Sequence, residues 1–595
     1  MKQANIGWSL TRRQLLGSFA ALAASAVGSS ALGACSGAPT ATPVPTTSAP
    51  KATAPTVATP VPAASPQAAA PAAAAPVAAS PKPAAASYVR PVEPKPKRGG
   101  TLRIAAGTAA THLDLHQGAQ LQLLSHLYSG LVRMDIKDYS TVVPELAESW
   151  DISPDGKVYT FKLRRGVKFS DGSPFNAEDA EATFSRVVKP PKGVASIFAS
   201  DLTVVDKVEA VDAQTVRFTL KHAWVPFLEF LAEEALVVYP KKALVENNYD
   251  LRKVIAPGTG PFKVKEARVQ ERWLLERNSD FFDPELPYLD AIEILNVPEM
   301  GDRGVAVMTG RADFTPNTSV SVYKEALTKP DSVSADEVPN RTFQSVTINN
   351  EHKPFNDKRV RRAIHLAVSR QNLEKATADV YAITLARWIV PTSRWAMPLE
   401  EVAKLPGYRA DKTADIAEAK KLLAEAGYPN GFGPVDLVTS SVANQAQLSA
   451  PAFQAELRQS LNITSKIRTM ERNLLPKELA NGTFDLLWES VYSFAVDDPT
   501  SGWPGFLKCG GSTNYSRYCN AELDKMLDQL TQEVDQGKRR QQMAQVTDLL
   551  DQEIPFFVVG TGTQRALWKP YVKGLNVPAM RNSSWGRFVT AWLDK

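Results

Sequence analysis

Three groupings in this 595-residue chain carry side chains of types that do chemistry. Asp497 and Asp498 are adjacent carboxylates, the raw material of a general acid–base pair in a hydrolase. Neighbouring residues of a strand point to opposite faces, however, so the pairing is poor for joint work on one bond. His112, Asp114 and His116 stand in "THLDLH" at a spacing compatible with a metal pair, while His126, His222, His352 and His365 are scattered without ligand spacing. The third grouping is the three cysteines, Cys35, Cys509 and Cys519. The motifs H-E-x-x-H, G-x-S-x-G and G-x-x-x-x-G-K do not occur. Gly258-Thr259-Gly260-Pro261 reads as a turn, because Pro261 removes a backbone donor that a phosphate site at a helix N-terminus needs. The expectation is a protein that is not an enzyme and uses no metal or cofactor, with an exported hydrolase on Asp497 and Asp498 as the alternative.

The N-terminus decides the compartment. "RRQLLGSFAALAASAVGSSALGAC" has a basic front, an apolar middle and small residues before a cysteine, which is the layout of an export signal. Its Ala, Ser and Gly make it weakly hydrophobic for a lasting span. Arg12 and Arg13 resemble a twin-arginine signal, and Leu32-Gly33-Ala34-Cys35 resembles a lipobox. Residues 1–34 are therefore expected to be removed and Cys35 to carry a lipid. The reading places the mature chain outside the cytoplasm, in the periplasmic space or on the outer face of the cytoplasmic membrane. In an oxidising compartment Cys509 and Cys519, with no His nearby to complete a metal site, favour a disulfide. The alternative is a pair of small buried thiols.

The formal net charge of +5 is unevenly spread: +3 in residues 1–35 and +5 in 36–98 leave −3 for 99–595. The basic balance thus belongs to the leader and the segment after it, and with no basic patch interleaved with aromatics it gives no ground for nucleic-acid binding. Residues 35–98 hold fifteen of the 43 prolines among Ala, Ser, Thr and Val, a composition that cannot bury a core. In polyproline form it reaches about 190 Å, which suits a tether between an anchored cysteine and a soluble body. The expected anchor is lipid at a membrane, and the expected state is a monomer.

From Gly99 onward strands and helices alternate. "GGTLRIAAG" predicts a strand. "KVYTFKLRRGVKF" (157–169) alternates Tyr159, Phe161 and Leu163 with Lys162 and Arg164 and predicts a hairpin strand. "FNAEDAEATFSRVV" offers Asn176 as N-cap, Asp179 three residues on, and Ala180, Phe184 and Val187 on one face. "DIAEAKKLLAEAGYP" places Ile416, Ala419, Leu422, Leu423 and Ala426 on one face before Gly427 and Pro429 stop it. The run Asp357 to Arg362 predicts a solvated, charged helix face. The class is α/β with α+β subdomains.

Six ordered blocks carry a family resemblance across residues 99–595. "VPELAESWDISPDGKVYTFKLRRGVKFSDGSPFNAEDAEATFSRV" (143–187) resembles the signature of family 5 extracellular solute-binding proteins, the peptide- and nickel-binding class of ABC importers. "APGTGPFKVKEARVQERWLLERNSDFFDPELPYLDAIEI" (256–294), "VTINNEHKPFNDKRVRRAIHLAVSRQNL" (346–373), "AKKLLAEAGYPNGF" (419–432), "STNYSRYCNAELDKML" (512–527) and "IPFFVVGTGTQRALWKPYVKGL" (554–575) are similar to later blocks. The resemblance implies a type II periplasmic-binding-protein fold with an enlarged first lobe. It puts lobe one at 99–343 plus 555–595 and lobe two at 344–554. It also implies capture of a peptide or peptide-like solute by closure of the lobes, with delivery to a permease and its ATPase.

In peptide binders of the family, the segment matching "FDLLWESVYSFAVDDP" (484–499) holds an Asp that pairs with the peptide's α-amino group. Here that position falls on apolar residues, and Asp497 is the candidate substitute, beside Asp498. The departure disfavours short zwitterionic peptides, because a buried ammonium needs a partner charge. Trp488, Tyr492, Phe494 and Trp503, with Trp395 from "PTSRWAMP", are the candidate aromatic contacts for a larger or less charged solute.

Overall fold

The computed structural model describes residues 95–595 except 108–111, 119–123, 137, 269, 380–381, 442–443 and 576–587, all within one compact unit, Ala75–Lys595. Arg12, Arg13, Cys35 and nearly all of the proline-rich tether lie outside the described residues. Among those described, no helix is long and apolar enough to cross a membrane.

One mixed sheet runs through the body. Its order is Ser465–Met470, Val435–Ser440, Leu486–Trp488, Ser334–Ile348, Phe556–Trp568, Phe314–Thr315, Thr101–Ala106, Ala291–Asn296, Arg272–Arg277 and Phe262–Arg268. The predicted strand at 101–106 sits in the interior, parallel to Ala291–Asn296. Leu102, Ile104, Ala105 and Ala106 are all buried, as expected where both faces of a sheet are covered. A second, four-stranded sheet carries the alternating segment. Val158–Leu163 lies between Ala147–Ile152 and Thr215–Leu220, with Tyr159, Phe161 and Leu163 inside and Lys162 exposed.

Helix Ala177–Val188 packs on this second sheet. Asn176 accepts from Glu178 N at 2.8 Å and Asp179 accepts from Asn176 N at 3.0 Å, a reciprocal capping box,. Phe184 meets Phe218 of the sheet edge to face, with ring centroids 5.2 Å apart.

The buried residues segregate into large cores at the two ends of the long sheet. One gathers residues from Leu102 to Phe314 with Ala566 to Leu593, a second runs from Phe343 to Val559, and a third, under the four-stranded sheet, from Leu131 to Val238. The strands Ser334–Ile348 and Phe556–Trp568 pair antiparallel along their lengths and join these cores. Their register breaks between Pro339 and Phe343 and again between Gln344 and Ser345. The turn Gly258–Pro261 is a close-packing device: a Cβ on Gly258 would stand 1.9 Å from the Leu127 carbonyl oxygen and one on Gly260 2.4 Å from its carbon.

The charged run at 357–362 differs from its sequence reading. Asp357 caps helix Lys358–Ala367, and Arg359 is exposed, but Arg361 is buried. Its guanidinium donates to the carbonyls of Glu553 at 2.9 Å, Ile554 at 3.1 Å and Phe355 at 2.9 Å. The helix has to turn one charged position inward so that the carbonyls ending helix Gln536–Glu553 find donors.

The histidine grouping also resolves as structure. Asp114 and His116 are fully buried, and Arg186 donates to both Asp114 oxygens and, at 2.8 Å, to His116 Nδ1. His116 Nε2 faces the Val237 carbonyl at 3.1 Å, so a neutral imidazole protonated on Nε2 satisfies both partners. Burial, reinforced by Arg186, pushes its pKa down to about 3. Burial alone would raise Asp114, but Arg186 and Gln117 outweigh it and hold the carboxyl below its ordinary range. Arg186→Met leaves Asp114 buried without its cation. The expected loss is about 3 kcal/mol or more of unfolding free energy in urea melts, and an unchanged midpoint would contradict the pairing.

Candidate functional site

The cores meet where Ser334–Ile348 changes register. Arg341, buried there, donates to the Ala495 carbonyl at 3.1 Å and to the Tyr139 carbonyl at 3.4 Å. It therefore holds the 493–498 segment beside the stretch around Tyr139. The segment runs against Ser334–Ile348: Phe343 N donates to Tyr492 O at 2.9 Å and Thr342 bridges Ser493. The chain bends over 495–498, and its apolar residues go to different places. Phe494 joins the Phe343–Val559 core, its ring 5.5 Å from that of Phe343, while Val496 joins the Leu131–Val238 core across the junction.

Carboxylates and arginines close the rest of the junction. Arg394 donates to Glu229 and, at 3.3 Å, to the Ser140 carbonyl, both on the far side. Its backbone N reaches Asp497 Oδ2 at 3.3 Å and its Nε pairs with the same oxygen at 3.8 Å. Asp498 pairs with Arg539, itself fully buried, and accepts from Thr500 N and Oγ1 at 2.9 and 2.7 Å. Val225 N donates to Thr531 O at 3.2 Å, a further direct bond across the junction.

This arrangement decides several sequence-level candidates. Trp488, Tyr492, Phe494 and Trp503 are fully or almost fully buried. Trp488 packs on Phe453 at 5.7 Å, Tyr492 stacks on Phe556 at 4.0 Å, and Trp503 Nε1 donates to the Trp388 carbonyl at 3.3 Å. These four are core residues rather than an aromatic lining, because the segment lies beside the central strands, where both faces are covered. Asp497 and Asp498 are each tied to a different arginine, so they do not act as a shared acid–base pair. Trp395 stands apart, with the guanidinium groups of Arg394, Arg539 and Arg540 at 5.2, 5.6 and 5.4 Å from its ring centre. Cys509 and Cys519 are joined in a disulfide with Cα atoms 4.5 Å apart, close to Trp503 in the chain. Among the described residues no cluster of His, Cys, Asp and Glu could hold a metal ion.

Sequence reasoning missed Arg341, Arg394, Glu229 and Glu233. Arg394 directly precedes the singled-out Trp395, but its partner Glu229 lies 165 residues away, and no local pattern encodes that pairing.

A family model described as "Bacterial extracellular solute-binding proteins, family 5 Middle" matches residues 141–514. The chain belongs to this family. Its mixed sheet and two lobes are those of type II periplasmic binding proteins. The glutathione-binding protein GsiB of Pectobacterium atrosepticum is 28% identical over 474 residues, covering 77% of this chain and 88% of that one. GsiB of Salmonella choleraesuis is 30% identical over 375 residues, covering 62% and 69%. Among solved structures, the ABC transporter-associated periplasmic binding protein DppA of Helicobacter pylori, in complex with the peptide STSA, is 25% identical. It superposes with a TM-score of 0.69 over 84% of this chain and 99% of that one.

The junction is sensitive to protons. Burial pushes Glu233 up to about 7, against Arg341 and with help from Glu234. Burial also raises Glu229, outweighing Arg394, with Asp498 and Asp497 adding to the effect. Between about pH 4.5 and 7 the folded junction binds a proton at Glu233 that the unfolded chain does not, so stability contributed here rises as pH falls through that window. Glu229 acts in the same direction. Glu233→Gln is expected to raise the Tm above about pH 7 and to flatten its pH dependence between about pH 5 and 7. Thermal melts across that range check it, and an unaltered slope would count against Glu233.

Proposed function

We propose that this protein is the lipid-anchored, solute-capturing component of an ABC importer for peptide-like solutes. Residues 1–34 act as the export signal, Cys35 bears the lipid, and 35–98 tether the body outside the cytoplasmic membrane. Lobe one comprises 99–343 with 555–595, lobe two comprises 344–554, and the monomer presents its closed form to a permease and ATPase. The observation that carries this reading is the junction itself, in which Arg394 lies between the carboxylates of Glu229 and Asp497 and Arg341 holds the Ala495 carbonyl. A solute that brings its own ammonium and carboxylate can exchange with such pairs. Its amine competes with Arg394 for Asp497 and Glu229, and its carboxylate takes up the arginine so released. Only the closed form offers both sets of groups, so binding shifts the open–closed equilibrium toward closure. The apolar position in 493–496 disfavours short zwitterionic peptides, but Asp497 offers an amine a carboxylate one position on. Relatives named as glutathione-binding, with a structural neighbour holding a four-residue peptide, support a solute of that size and charge.

Calorimetry with reduced glutathione and with tri- and tetrapeptides, beside mass spectrometry of solute that co-purifies, tests this. Binding of at least one, with the ligand recovered intact, is expected. Asp497→Asn is expected to weaken solutes with a free amine about ten-fold and to leave their N-acetylated forms unaffected. Absence of binding to all of them, or recovery of hydrolysed products, would refute the reading.

The anchor has a separate test. The wild-type chain is expected to fractionate with membranes and incorporate a labelled fatty acid, whereas Cys35→Ser does neither. Equal membrane association of the two would exclude Cys35 as the lipid site.

A further inference from the structure

Beside the junction, lobe two carries a hollow that the reading above does not use. Its volume is about 230 Å³, and its walls are wholly from this lobe. One wall is helix Gln536–Glu553, which presents Arg540, Met543, Ala544 and Thr547 at i, i+3, i+4 and i+7, a single helical face,. The facing wall comes from the irregular stretch around 386–399, with Trp388 and Trp395 inside and Met397 and Leu399 exposed on the rim.

The walls are fixed before anything enters. Trp388 Nε1 donates to Asp551 at 2.7 Å, and Arg387 is held by Asp548 at 2.6 Å, by Asp551 at 2.8 Å and by Thr547 at 2.9 Å. Arg387 is thereby neutralised within the wall. Arg540 is not: among the described residues it makes no ion pair, and its guanidinium donates to the Arg394 carbonyl at 3.1 Å. An apolar, Trp-lined hollow with one uncompensated cation at its mouth has a definite complement. It fits a flat or branched apolar body that ends in an anion, and it repels a cation. The volume falls below the ~300 Å³ at which pockets begin to take drug-sized molecules, which limits the body to about one ring.

We propose that this hollow is a second binding site, for a small apolar monocarboxylate whose carboxylate is held by Arg540. The site is distinct from the solute junction, which lies on the other side of Arg394. Trp395 is the wall between them, packed against Arg394 at 5.2 Å, so an occupant supports the residue next to the clamp on Glu229.

The test is titration calorimetry on the whole soluble protein with 3-phenylpropionate, 3-phenylpropionamide and 3-phenylpropylamine as probes. The acid is expected to bind about five-fold more tightly than the amide, and the amine not measurably. Ala544, exposed on its helix, tolerates enlargement. Ala544→Phe is expected to fill the hollow and weaken the acid at least ten-fold while the melting temperature and circular dichroism stay native. Arg540→Gln is expected to level acid and amide. Three results would overturn the proposal. They are no binding of the acid at millimolar concentration, equal affinity for acid and amine, or wild-type affinity for the acid in a natively folded Ala544→Phe protein.

Discussion

The molecule depends on the antiparallel pair formed by Ser334–Ile348 and Phe556–Trp568. Through these two strands a single sheet serves separate cores, since Phe343 and Val346 pack into one while Ala566 and Leu567 pack into others. Backbone hydrogen bonds run along the pair, and its register breaks between Pro339 and Phe343 and between Gln344 and Ser345,. Gly560, opposite Gln344, allows the short strand Ile383–Thr384 to lie against the pair. A Cβ there would stand 2.3 Å from the Thr384 carbonyl oxygen.

The charges at the junction follow from its burial. A buried carboxylate without a cation costs several kcal/mol. Asp498 pairs with the buried Arg539, whereas Glu229 and Asp497 share Arg394. Glu229 lies 165 residues from Arg394, and the pair is mostly buried, with side chains 36% and 17% exposed. Burial raises Glu233 and Glu229 despite the nearby Arg341 and Arg394.

The aromatic segment shows how packing, not residue type, places chemistry-bearing side chains. Part of 484–499 reaches the junction through Ala495 and Val496. Yet Trp488, Tyr492 and Phe494 face inward, and the contacts across the junction are made by Val496 and the Ala495 carbonyl, while Asp497 pairs with Arg394. Residues two apart in a strand share a face, so nothing in the pattern separates Phe494 from Val496; the bend at 495–498 and strands more than a hundred residues away do.

Local order was legible in the sequence because its causes are local. Asn176 and Asp179 cap a helix through groups three residues apart, Tyr159, Phe161 and Leu163 share one face of a strand by period, and Gly427 ends a helix by its positive φ. The ordered blocks likewise revealed the family, and with it the two lobes. The tertiary structure alone decided which charges are free. Arg361 is buried by carbonyls from 553–554, Asp114 is claimed by Arg186, Arg394 finds Glu229, and Arg540, beside a hollow, makes no ion pair among the described residues. A charged residue's role is set by its nearest opposite charge and by the water removed around it, and both are fixed only when distant parts of the chain are packed together.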